Sequence, residues 1–422
     1  MPPDSVLESL DRTDLAVLVR EYLLAGHLVD RAGMPQVIGR LGREGMRDVA
    51  IDEWMGASPI YTRRMQRVLG YSGDTVETMF KGLQFDIGSP PQFLDFRFKI
   101  DGRNRGEFWL DSCGALLDCE PLGDEFVLTM CHDIEDPTFD ATAAAVNPRA
   151  RVRPIHRPPR DPADRVPHCH WTVTIDPLAE PVGEPEPALR LAESLAASLP
   201  LASADGGAHA IYGADGAPAP DDGRTDYAGP LEADLDLARF SARTLRAVAD
   251  EVCLQGQLLA MSFVAALETR EGPEVASVIG RQQCTGIAGV AADRLRRAFG
   301  VTAGLDGLAR VLALHPMFRP RRYVDVATAR EGDALLVELR PCVALSEPRE
   351  VNWAKLLAGG FAEPIAAIAN AVDPTARVEA TPAEGGAVAA WRVTTGHEPA
   401  AEAAEVQVTR FSTGTDFVFE DR

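Results

Sequence analysis

The sequence predicts an α+β protein built of two homologous modules, each an N-terminal helical bundle followed by a small mixed α/β sheet part. Three observations carry this prediction: residues that recur at one fixed offset, helical amphipathic spacing at the start of the first copy, and strand-like alternation after it. Glu21, Gly26, Leu28, Arg40, Arg64, Arg67 and Gly70 return as Glu251, Gly256, Leu258, Arg270, Arg294, Arg297 and Gly300, each pair 230 positions apart with no gap over about fifty residues. Cys113 then aligns with Cys342 and Pro148 with Pro374. The run at 147–152 (NPRARV) matches 373–378 (DPTARV), and 171–174 (WTVT) matches 391–394 (WRVT). The expected division is residues 1–176 for the first module, 177–236 for a Pro/Gly/Ala-rich linker and 237–422 for the second copy. The linker carries EPVGEPEP, ADGG and ADGAPAPDDG, with one helix expected from Pro187 to Leu199.

The elements follow in order. Leu15, Leu18, Val19, Tyr22, Leu23 and His27 lie at helical spacing, so Leu15 to Val29 reads as an amphipathic helix with Asp14 or Thr13 as its cap. The segment from Tyr61 to Leu69 continues the pattern and stops at Gly70, because glycine adopts the left-handed conformation that ends helices. Segments 93–100 and 106–112 alternate as strands do. Pro137 to Val146 is alanine-rich, with Asp136 as the expected cap and proline in the first turn. Residues 168–176 read as a closing strand. Cys169 then shares a face with Trp171 and Val173, while His168 and His170 point the other way.

Composition narrows the function classes. The 422 residues are 46% hydrophobic and 25% charged, ordinary for a globular protein. A formal charge of −21 argues against nucleic acid as the main partner, because phosphate contacts require basic clusters. Uninterrupted apolar runs fall short of the roughly 18 residues that a membrane span needs. The start, MPPDSVLESLDRTDL, has no secretory pattern, which leads us to expect a cytoplasmic protein without a disulfide framework.

Chemistry-bearing residues concentrate in the first copy: Cys113, Cys119, Cys131-His132-Asp133, His156 and His168-Cys169-His170. Opposite Cys131-His132 the second copy has Leu357-Ala358, and opposite Cys169-His170 it has Ala389-Ala390, whereas Trp171 and Trp391 both survive. A fold that persists without these thiols does not need them for its architecture, so we expect one working and one degenerate module. Cys119, Cys253 and Cys284 read as core filler. His27 reads as a core histidine with Glu21 as its partner.

The order DSCG at 111–114, MCHDIE at 130–135, NPRARV at 147–152, RPPRDP at 157–162 and HCHW at 168–171 resembles the L-2-amino-thiazoline-4-carboxylic acid hydrolase-like family, over about residues 15–175 and, in decayed form, 240–396. The resemblance implies hydrolytic opening at a C=N carbon of a small heterocycle or amidine. His156 stands where a further cysteine is common in that family, and the duplication departs from it.

Two mechanisms fit the residues. In one, Cys131 is the nucleophile, with its pKa lowered by a helix start and by His132, and Asp133 or Glu135 handles protons. In the other, Cys113, Cys131 and Cys169 with His132 or His156 hold a zinc ion that activates water. Arg149, Arg151, Arg153, Arg157 and Arg160 form the one basic concentration. Arg151 and Arg153 are the candidates for a substrate carboxylate, and Trp171 for an aromatic wall of the site. The expected partner is a small molecule, with no nucleic acid and no membrane, in an intramolecular pseudo-dimer of the two modules. The rival expectation is a thiolate metal- or cofactor-binding protein without hydrolytic activity.

Overall fold

The computed structural model describes residues 5–202, 211–212, 218–219 and 221–420. The chain first forms a helical segment, Arg12–Leu69, that is interrupted at Gly42 (φ 69°, ψ −173°). Trp54 Nε1 donates to Asp30 Oδ1 at 3.2 Å. Twenty-four residues of straight helix would separate these groups by ~36 Å, so the segment folds back on itself as two antiparallel arms, 12–41 and 43–69. Only a residue that tolerates positive φ suits this corner. In the second module the helices Ala242–Glu271 and Pro273–Ala298 meet at Gly272 (φ 85°, ψ 170°), 230 positions after Gly42.

Each hairpin is followed by a four-stranded antiparallel sheet. In the first, β1 (Leu94–Gly102), β2 (Arg105–Cys113), β3 (Ala150–His156) and β4 (Cys169–Ile175) lie in the order β1-β2-β4-β3. A two-residue ribbon, β5 (Ile211–Tyr212) with β6 (Pro218–Ala219), falls in the linker. In the second sheet, β7 (Val326–Glu331), β8 (Ala334–Leu339), β9 (Arg377–Thr381) and β10 (Ala389–Thr394) repeat the order as β7-β8-β10-β9. The two modules are therefore similarly built, as internal duplication requires. The last strand of each module inserts at the sheet centre, which explains why Trp171 and Trp391, one on each of these strands, are both fully buried.

The hairpins pack against each other through the first arm and the helix Ala242–Glu271. A side chain at Gly256 would approach the Gly26 backbone at 3.9 Å, so this repeated glycine pair sits where the helices come close. The repeated charges cross-pair. Arg64 donates to both oxygens of Glu251 at 2.8 and 2.9 Å, and Arg294 to both oxygens of Glu21 at the same two distances. Each guanidinium also fixes a following segment. Arg64 holds the carbonyls of Ala197 and Leu199, and Arg294 those of Gly414, Thr415 and Phe417. Such bidentate pairs resist the cost of burial because most of their donors are satisfied. Glu21 is thus committed to Arg294 and is not the partner of His27.

Several local expectations need correction. Asp11, not Asp14 or Thr13, caps the first arm by accepting the Asp14 amide at 2.8 Å. The helix expected from Pro137 is the last part of a continuous helical run: Asp124–Leu128, a π-helical turn Thr129–Ile134, then Glu135–Ala144. Asp136 caps nothing and pairs with Arg157. The linker holds two short helices, Glu186–Leu191 and Leu195–Ser198, because Ser194 breaks the run and caps the second through the Ala197 amide. The ADGG stretch and part of ADGAPAPDDG lie outside the described residues. The helix Ala242–Glu271 is long and apolar enough to cross a membrane, yet 89% of its most apolar window is buried by the rest of the chain, as befits a core helix.

Candidate functional site

In the first module the hairpin arms, strands β1 and β2, and the helix Glu135–Ala144 line a cavity of about 110 Å³ that is partly open to solvent. Apolar side chains make most of its wall, and His27, Asp30, Arg31, Asp86, Cys113 and Glu135 supply the polar groups. This space is smaller than the ~150 Å³ cavity known to take up benzene, but it is open on one side, which puts it on the scale of one small ring.

Burial sets the protonation of these groups. His27 is buried and neither ring nitrogen has a hydrogen-bond partner. Burial and then the neighbouring Arg31 push its imidazole down to about 3, leaving it neutral. Burial lifts Asp86 to about 6 despite hydrogen bonds from the Gly88 amide and the Tyr61 hydroxyl. Glu135 has one buried, unpartnered oxygen, and burial raises its carboxyl to about 8 against the opposing pull of Arg157. Arg31 is almost wholly buried, its Nε without a hydrogen bond and 3.6 Å from Asp30 Oδ2.

The expected site residues are distributed differently. Cys113 lines the cavity, and its sulfur accepts the Leu116 amide at 3.4 Å, capping the short helix Gly114–Cys119. Burial and the facing Glu135 push its thiol up to about 12. Cys131 and Cys169 lie around the same Glu135, which adds to the burial that drives both thiols well above the ordinary range. The expected lowering at Cys131 is therefore reversed. Its helical run continues through the π turn without a free N-terminus, and His132 turns away to donate from Nε2 to the Pro158 carbonyl at 2.6 Å. Asp133 is exposed.

Cys169 shares its inward face with Trp171 and Val173, as strand alternation required. His170 faces outward to Glu107 at 3.0 Å, with the His156 ring 6.1 Å from its own, so His156 lies across the sheet from the thiols. His168 is not turned to solvent. It is buried, and its Nδ1 accepts the Cys113 amide at 3.1 Å. Among the described residues no group of three or more His, Cys, Asp or Glu side chains is arranged to hold a metal ion, and this overturns the zinc expectation for Cys113, Cys131, Cys169 and His156.

Arg151 and Arg153 do not line the cavity either. Arg151 binds backbone carbonyls, including that of Glu180, and Arg153 pairs with Asp140 at 2.9 Å. Trp171 is core: it stacks on Phe108 at 6.2 Å and packs edge-on against Phe139, with the Arg157 guanidinium 5.7 Å from its ring.

Sequence reasoning missed His27, Asp30, Arg31 and Asp86 as site groups, and Glu53 behind them. The signal was present in the mismatches of the repeat. At the 230 offset, His27, Asp30, Arg31 and Glu53 are replaced by Gln257, Ala260, Met261 and Gln283. The corresponding place in the second module is packed nearly shut: a space of about 10 Å³ remains among Gln257, Ala260, Met261, Val264, Gly280 and Trp353. Comparison of the chain with protein-family models, with curated proteins and with solved structures finds no match.

Proposed function

We propose that the first module is the working half of a hydrolase-like enzyme for a small carboxylate-bearing heterocycle or amidine, and that the second module is its filled, supporting counterpart in a pseudo-dimer. One observation supports this reading above the others. The first hairpin buries a set of ionisable groups around a ring-sized cavity, at the place where the duplicate packs apolar or neutral side chains. Buried charges without full pairing cost several kcal/mol. The duplicate builds the same fold without them, which favours retention for a ligand.

The roles follow from position. Arg31 takes the substrate carboxylate, in place of Arg151 and Arg153. Cys113, not Cys131, is the thiol that reaches the cavity. Held near 12, it is no standing thiolate, so its attack on the C=N carbon is coupled to proton loss. Glu135, held near 8 and so protonated at neutral pH, gives its proton to the ring nitrogen and takes up that of the thiol as the Cys113 sulfur bonds to the carbon and the C=N π bond opens. The ring C–S bond then breaks, the ring sulfur leaving as a thiol with the nitrogen's proton as the C=N bond re-forms. Water adds to that carbon, with one of its protons passing to Cys113 as the C–S bond to the protein breaks. The protonated thiols also favour a second reading, a small-molecule binder without turnover.

Turnover of 2-amino-thiazoline-4-carboxylate by the purified chain, followed by proton NMR, separates the two. Ring opening that is lost in Cys113→Ser and retained in Cys131→Ser supports the enzyme. Binding without ring opening supports the binder, and loss in Cys131→Ser alone contradicts the assignment of Cys113.

A further inference from the structure

Behind the cavity wall the second arm brings another carboxyl against Asp30. Glu53 is 0% exposed, and neither of its oxygens receives a hydrogen bond from any donor. Its polar neighbour is the Asp30 carboxyl, close enough for the two to share a hydrogen bond once one of them carries a proton. Asp30 is buried as well. It accepts the Trp54 indole N–H at 3.2 Å and stands 3.6 Å from Arg31.

Two carboxylates in contact and out of water cannot both stay ionised. The other groups facing the pair are His27 and Arg31 on the first arm and Tyr61 on the second, with Asp86 behind Tyr61. Cys113, Asp118 and Cys119 approach Arg31 and Asp30 from the end of β2 and the helix after it. With His27 neutral, Arg31 is the positive charge of this set and the one that favours an ionised carboxylate at both Asp30 and Glu53.

We infer that Asp30 and Glu53 share one proton while Arg31 is unoccupied and take up a second when an anion neutralises Arg31. The inference rests on the cavity reading above and gives it a consequence: the site takes a carboxylate together with a proton. The uptake makes one O–H bond at the pair, with the proton drawn from solvent. Ligand affinity then falls about tenfold for each pH unit above neutrality, the slope of a one-proton linkage.

The test needs no ligand. Infrared spectra of the full chain at neutral pH are compared with those of Glu53→Gln, the residue the second module carries as Gln283, and of Arg31→Met, which mirrors Met261. Glu135 and Asp86 contribute equally to all three and cancel in the differences. The expected result is one protonated carboxyl in wild type that is absent from Glu53→Gln, and two in Arg31→Met, because removing the guanidinium charge imitates its neutralisation. A wild-type spectrum identical to that of Glu53→Gln overturns the shared proton, even if Arg31→Met does not fold. An unchanged carboxyl signal in folded Arg31→Met overturns the second uptake. Because no substrate is added, failure here leaves the turnover experiment standing, and failure of turnover leaves the proton pair standing.

Discussion

The two modules share a hairpin, a glycine corner, a sheet order and a central tryptophan, yet one holds ionisable side chains around a pocket at a place that the other packs nearly shut. Arg64–Glu251 and Arg294–Glu21 repeat one bidentate pair in both halves, with Arg322 added at Glu251. His27, Asp30, Arg31 and Glu53 do not: their places hold Gln257, Ala260, Met261 and Gln283. What is common to both copies builds the fold and the contact between them. What is particular to one copy is free of that duty, and it gathers around a space of about 110 Å³ against about 10 Å³ in its counterpart. The comparison lies within one chain, so both halves face the same solvent and the same packing demands.

The largest expected effects fall on the shared frame. Arg294→Met leaves buried Glu21 without its partner and should cost about 3–5 kcal/mol, whereas Arg64→Met leaves Glu251 held by Arg322 and the Ala202 amide and should cost less. Denaturant titration should find the larger loss at Arg294, and a larger loss at Arg64 would contradict this account of the shared frame. Next comes Glu135, which has no such symmetric role. Its folded pKa of about 8 lies above the ordinary value of 4.5, so its contribution is complete in acid and is lost as pH rises from 4.5 through 8. Glu135→Gln should therefore stabilise the chain by up to about 5 kcal/mol in alkaline buffer and change little near pH 4, with unfolding midpoints at both pH values as the check.

Gly42→Ala and Gly272→Ala force a Cβ into positive φ at the two corners and should cost about 1–2 kcal/mol each. A penalty at one corner only would show that the hairpins are held differently. The smallest effect is kinetic. Cys342, half-buried in the second module, should be alkylated before Cys113, Cys131 and Cys169, whose thiols burial keeps protonated. Peptide mapping after brief alkylation gives the order, and early labelling of Cys131 would restore it as a nucleophile.

The fold was largely legible because its signals are local or repeated. The fixed offset exposed the duplication, the apolar stripe gave the first arm, and strand alternation put Cys169 and Trp171 on one inward face. Short-range capping was harder. Asp136 has the composition of a cap, but the helix already runs through the π turn before it. The site was legible only in part. A local reading favours Cys131 beside His132, whereas tertiary packing sends His132 to the Pro158 carbonyl and brings Cys113, Glu135 and Arg31 to one space from a strand end and two helices. Charged residues on a helix such as Asp30, Arg31 and Glu53 resemble a solvated face until the hairpin closes over them.

The claim that the hollow module is the ligand site is tested most directly by calorimetric titration of 2-amino-thiazoline-4-carboxylate into wild type and into Asp30→Ala/Arg31→Met, which installs the residues of the second module. The account predicts one site per chain in wild type and none in the double variant, whose thermal unfolding should remain cooperative. Equal binding by both proteins, or no binding by a folded wild type, would contradict it.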